Sequence, residues 1–73
     1  MFKVIIEKDN EKEIYSEVDN IDEAERDFLN AVENTISNFD DYTSDDIDEM
    51  VYNQYEYFGR GVIYIETDGL DPF

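Results

Sequence analysis

The sequence predicts an α+β domain of ββααβ order, a small antiparallel three-stranded sheet with two helices packed on one face. Three observations predict it. Residues 2–7 and 12–18 are β-rich runs flanking the turn-forming pair Asp9-Asn10. From Ile21 to Phe58 apolar residues recur at steps of three and four. A further β-branched run, Val62 to Ile65, follows Gly61. Each helix carries a single apolar stripe, so one face of one sheet can cover both.

The first run is almost continuously apolar and reads as a central strand. The second alternates, with Ile14 and Val18 on one side and Tyr15 on the other, and reads as an edge. In helix one the stripe is Ile21, Ala24, Phe28, Ala31, Val32, Thr35, Ile36 and Phe39. Asn20 with Glu23 three residues on has the form of a capping box, and Asp22 and Glu23 suit the positive end of the helix dipole. The loop Asp40-Asp41-Tyr42-Thr43 leads to Ser44 as cap of a second helix, in which Ile47, Met50, Val51, Tyr55 and Phe58 share a face. Gly59 closes that helix as a left-handed cap. Residues 61–67 form the third strand, and 68–73 a loose tail.

A chain of 73 residues reads as one domain, because so small a core barely offsets the entropy of ordering its own backbone. Apolar residues make up 41% and aromatics 15%, too rich in core formers for a disordered acidic tail. The start turns polar at Glu7, short of a signal peptide or a membrane span, so a cytoplasmic protein is expected. With no Cys and no His, disulfides and the usual thiolate and imidazole metal ligands are missing. Ser16, Ser37, Ser44, Thr35, Thr43 and Thr67 have no histidine to activate them, and Gly59, Gly61 and Gly69 fit no phosphate-cradling spacing. A glycosidase-like carboxylate pair needs an enclosed cleft, for which this chain has little room. The expectation is a binding protein, not an enzyme, without a cofactor.

Charge decides what it binds. Twenty-one acids against five bases leave −16, and residues 19–57 hold thirteen of the acids with one base. Nucleic acid and anionic membranes are disfavoured, because their attraction needs excess Lys and Arg. A basic protein surface is favoured. At 100° per residue, Asp22, Glu23, Asp27 and Glu33 leave the stripe of helix one, with Glu25 at its margin; Asp45, Asp46, Asp48, Glu49 and Glu56 turn outward from helix two. From Asp19 to Asp27 there are five carboxylates in nine residues. That is about one per 3 Å of helix axis, close to the roughly 3.4 Å per phosphate along one DNA strand. Tyr42 and Tyr52 lie among the acids, where stacking and bidentate pairing suit a partner's Arg. The cluster Asp40, Asp41, Asp45, Asp46, Asp48 and Glu49 also suits a divalent cation by residue type, but it lacks the spacing of an EF-hand loop. A solvated loop and a helix start account for it as well. Tyr15, Tyr55, Tyr57 and Tyr64 read as packing residues. Ile5, Tyr15 and Tyr64 fall on a face the helices leave open, so either a monomer or a homodimer fits.

From Lys12 to Gly59 the chain runs through an edge strand, Glu17-Val18-Asp19-Asn20, a helix, the Asp40-Asp41-Tyr42 loop and Asp45-Asp46-Ile47-Asp48-Glu49-Met50. In size, charge and layout this resembles the small acidic inhibitors that bacteriophages make against host nucleases: anti-CRISPR and anti-restriction DNA mimics and uracil-glycosylase inhibitors. The layout is similar to that of inhibitors of the type II CRISPR nuclease, whose acidic strand, helices and loops occupy the site that reads the short motif beside the target. The closing strand Val62 to Ile65 departs from it. The resemblance implies a phage-encoded inhibitor, active in the cytoplasm of a bacterial host, that blocks the nucleic-acid site of a CRISPR nuclease or another defence nuclease. The alternative is an adaptor that binds a basic protein without displacing nucleic acid. The candidate contact residues, Asp19, Asp22, Glu23, Asp27, Glu33, Asp40, Asp41, Tyr42, Asp45, Asp46, Asp48, Glu49, Tyr52 and Glu56, come from the charge map and not from the resemblance.

Overall fold

The computed structural model describes residues 1–67; the tail expected at 68–73 lies outside the described residues. Strands β1 (Phe2–Lys8), β2 (Glu11–Val18), β3 (Tyr55–Phe58) and β4 (Gly61–Thr67) form one antiparallel sheet in the order β2-β1-β4-β3. Helices α1 (Ile21–Thr35) and α2 (Ser44–Asn53) connect β2 to β3 through a 3-10 turn at Phe39–Asp41. The fold is therefore α+β with four strands in a ββααββ order, one strand more than the sequence predicts.

That extra strand comes from residues read as the last turn of helix two. Gln54 takes the left-handed conformation (φ 65°) and caps α2, its N–H reaching the carbonyls of Met50 and Val51. The chain leaves extended as Tyr55-Glu56-Tyr57-Phe58 and pairs with β4. Gly59 is left-handed as expected (φ 42°), but it turns a hairpin and does not end a helix. Helix one is likewise shorter than its stripe: Ile36 is its C-cap and Phe39 opens the 3-10 turn.

Local chemistry explains the other boundaries. Asp9 and Asn10 both have positive φ (53° and 69°), the geometry of a two-residue hairpin turn, and both residue types tolerate it. The Asn20 side chain accepts from the Asp22 N–H at 2.7 Å and starts α1. The reciprocal capping box is at α2, with Thr43, not Ser44, as cap: Asp46 N–H donates to Thr43 Oγ1 and Thr43 N–H donates to Asp46 Oδ2.

The core lies between the sheet and the helices. Phe28, Ala24, Ala31 and Val32 of α1 are fully buried against Val4, Ile63 and Ile65, and Met50 brings α2 into the same cluster. Ile5 is also buried, but on the opposite face of the sheet. A bulge in the β1–β2 ladder, between Val4 and Ile5, leaves Tyr15 as the extra residue and reverses the alternation of β2. Val18 consequently faces the core and Ile14 pairs with Ile5 on the open face, so the two do not share a side as expected. Tyr15 does not sit on the open face; its hydroxyl accepts from Asn34 Nδ2 of α1 at 3.3 Å.

Gly61 holds the junction of three strands. A Cβ there would stand 2.3 Å from the Glu7 carbonyl oxygen and 2.9 Å from the Phe58 ring, and the carbonyl is fixed in the ladder. Gly61→Ala is expected to cost about 1–3 kcal/mol by overpacking, lowering the melting temperature by about 5–20 °C. A melting temperature within about 2 °C of wild type, followed by circular dichroism, would contradict this close approach.

Candidate functional site

Every acid among the described residues lies at the surface, since no polar or charged side chain there is buried. Asp19 precedes the cap of α1; Asp22, Glu23 and Glu33 are exposed along it; Asp40 and Asp41 are exposed on the 3-10 turn; Asp45, Asp46, Asp48 and Glu49 are exposed on α2. Both helices pack on the same sheet face, so these carboxylates lie on the helix side of the molecule, with Asp46 and Glu49 at its edge beside β3. Tyr52 stands among them, 87% exposed. The one base in this stretch is Arg26, whose guanidinium lies 3.9 Å from Asp27.

Three of the expected contact residues are turned inward. Ser16 Oγ donates to Asp27 Oδ2 at 2.5 Å, tying α1 to the edge strand β2, so Asp27 is half-buried and not free on the helix. Glu56 belongs to β3 and points to the helix side of the sheet, where the Tyr42 hydroxyl donates to its Oε2 at 2.5 Å. Tyr42 is half-buried and stacks on Phe39 with ring centroids 5.7 Å apart. The hydrogen bond to Glu56, reinforced by burial, pushes the Tyr42 hydroxyl up to about 12, because the phenolate would face a carboxylate. Folding raises this pKa, so the contact stabilises the fold below the ordinary tyrosine value of about 10 and is lost as the pH rises through about 12.

Around this pair the surface forms a shallow hollow of about 380 Å³, lined by Tyr42, Asp46, Glu49 and Glu56 with Met50 among them. Carboxylates beside an aromatic ring suit the flat, weakly hydrated guanidinium of an arginine. Among the described residues no three acids come together in a way that could hold a metal ion. Projection onto helices misses Tyr55 and Tyr57, which are 45% and 71% exposed on the opposite face. The signal for them was the period-two alternation Tyr-Glu-Tyr-Phe.

Comparison with family models, with curated proteins and with solved structures gave no match. No helix among the described residues is long and apolar enough to cross a membrane.

Proposed function

We propose that this protein acts by binding, and that its helix side imitates nucleic acid to occupy the basic site of a nucleic-acid-binding protein, a CRISPR nuclease or another defence nuclease being the leading class. The observation that supports this reading is the exposed run of carboxylates from Asp19 to Glu49, spread over two helices and a turn with a single base among them. Such a field speeds encounter with a cationic groove and repels nucleic acid itself. Tyr52 and the hollow beside Glu49 supply shaped contacts for Arg side chains, which slow dissociation.

The test is competition. A guide-loaded type II CRISPR nuclease and a panel of restriction nucleases are passed over the immobilised protein, with and without duplex DNA carrying the recognition motif. Polylysine serves as a control for unspecific attraction. Binding to a nuclease that motif-bearing DNA displaces, at a salt concentration that abolishes polylysine binding, is the expected result. Simultaneous binding of DNA and this protein would replace mimicry with the adaptor reading.

A further inference from the structure

The sheet face away from the helices is unlike the rest of the surface. Its three residue rows run across the strands as Lys12, Glu7, Val62 and Tyr57, then Ile14, Ile5, Tyr64 and Tyr55, then Glu17, Lys3 and Glu66. Ile14, Tyr55 and Tyr57 are 51%, 45% and 71% exposed, and the Tyr55 and Tyr57 rings meet edge to face at 5.5 Å. Two lysines and three glutamates stand here, a net of −1 out of −16 for the chain, so the acid excess lies almost wholly elsewhere.

We infer that this face docks a second copy of the same chain, sheet against sheet. The pattern matches itself under a two-fold axis. With the axis along the strands, β2 of one copy lies over β3 of the other: Ile14 meets Tyr55, Lys12 meets the Tyr57 ring and Lys3 meets Glu66, while Ile5 lies beneath them, already covered by its own chain. With the axis across the strands, Lys12 meets Glu17 and Lys3 meets Glu7. Either way the central row is apolar or aromatic and each lysine meets a carboxylate or a ring, the self-complementarity that an isologous interface requires.

Charge favours this occupant over others. A basic partner is drawn to the helix side, and nucleic acid is repelled by the whole molecule. Back-to-back docking places the two acidic sides outermost. With sheets about 10 Å apart and a helix layer about 10 Å beyond each, the carboxylate fields are separated by about 30 Å, several times the roughly 8 Å screening length at physiological salt. Three strands of seven or eight residues and one of four present about 400 Å² per copy, or about 800 Å² of flat face for two copies before corrugation, below the roughly 1,200 Å² of stable specific pairs and in the range of weak, transient ones. The dimer is accordingly a dynamic one with a dissociation constant in the micromolar range, and it tightens as salt is raised from low to physiological values.

Sedimentation equilibrium from about 5 µM to 1 mM at 20 and 150 mM sodium chloride tests this, the range chosen to bracket a micromolar constant. The expected mass rises toward twice 8.7 kDa, more readily at the higher salt. Ile14→Glu and Tyr57→Lys, both at exposed edge-strand positions, are expected to weaken the dimer at least about tenfold with unchanged circular dichroism, by placing an unpaired charge in the interface. Isotope-filtered NMR on a labelled and unlabelled mixture of the wild type, which needs no variant, is expected to show contacts between copies from the Tyr55 and Tyr57 rings. A wild type that stays monomeric throughout, a dimer undiminished in both variants, or contacts between copies confined to the helices would each overturn the proposal.

Discussion

Phe28→Ala is expected to lower the melting temperature by about 15–30 °C and to leave a large share of the chain unfolded at 37 °C. Among the described residues Phe28 is the largest fully buried side chain, and it lies in the cluster that joins α1, α2 and the sheet. Emptying such a position costs about 3–5 kcal/mol, since the transfer term is lost and the cavity left behind collapses only in part. A domain of this length has about 4–11 kcal/mol of stability in all. Self-repulsion at −16 draws on the same reserve. Thermal melts followed by circular dichroism check the result; a fall of less than about 5 °C would mean that α1 does not seat Phe28 against Val4 and Ile63.

Replacing Asp22, Glu23, Asp45, Asp48 and Glu49 by their amides is expected to weaken partner binding by about ten- to a thousandfold without unfolding the protein. An exposed ion pair contributes about 0.2–1 kcal/mol, and five acting together reach that range. Asp27 and Asp46 are left intact, because one accepts from Ser16 and the other completes the Thr43 capping box; changing either would mix a folding effect into a binding measurement. Surface plasmon resonance at two salt concentrations separates the contributions. Rim carboxylates act on the association rate and lose their influence as salt rises, whereas a carboxylate desolvated against Arg acts on dissociation. Affinity unchanged in the fivefold variant would move the binding surface off the helix side.

Much of this architecture is legible in the residues. The Asp9-Asn10 hairpin, the cap at Asn20 and the buried stripe from Ala24 to Val32 follow from local rules that the tertiary structure respects. β3 does not, because Met50, Val51, Tyr55 and Phe58 fit a helical period while Tyr55 to Phe58 fit a strand period equally well. Four residues are too few for periodicity to choose between them. Gln54 decides the matter by turning left-handed, and nothing in a glutamine announces that. Exposure of Asp22, Glu23, Asp45 and Asp48 could be read from helical projection. The inward turns of Asp27 and Glu56 could not, since their partners Ser16 and Tyr42 are eleven and fourteen residues away and meet them only once the helices have docked.

The register of the two middle strands has a mechanical consequence. β1 and β4 run antiparallel with Phe2 opposite Thr67, so the outer ends of both strands lie side by side at one end of the sheet. A force pulling residues 2 and 67 apart therefore loads the ladder one rung at a time, as in a zipper, and not all rungs in parallel as in shear. Phe2 and Val18 are also opposed at that end, so the same pull peels β1 along its length while the Asp9-Asn10 turn stays at the far end. A pull applied at Phe2 or Thr67 opens the sheet rung by rung, at a lower force than shear of the same ladder would need.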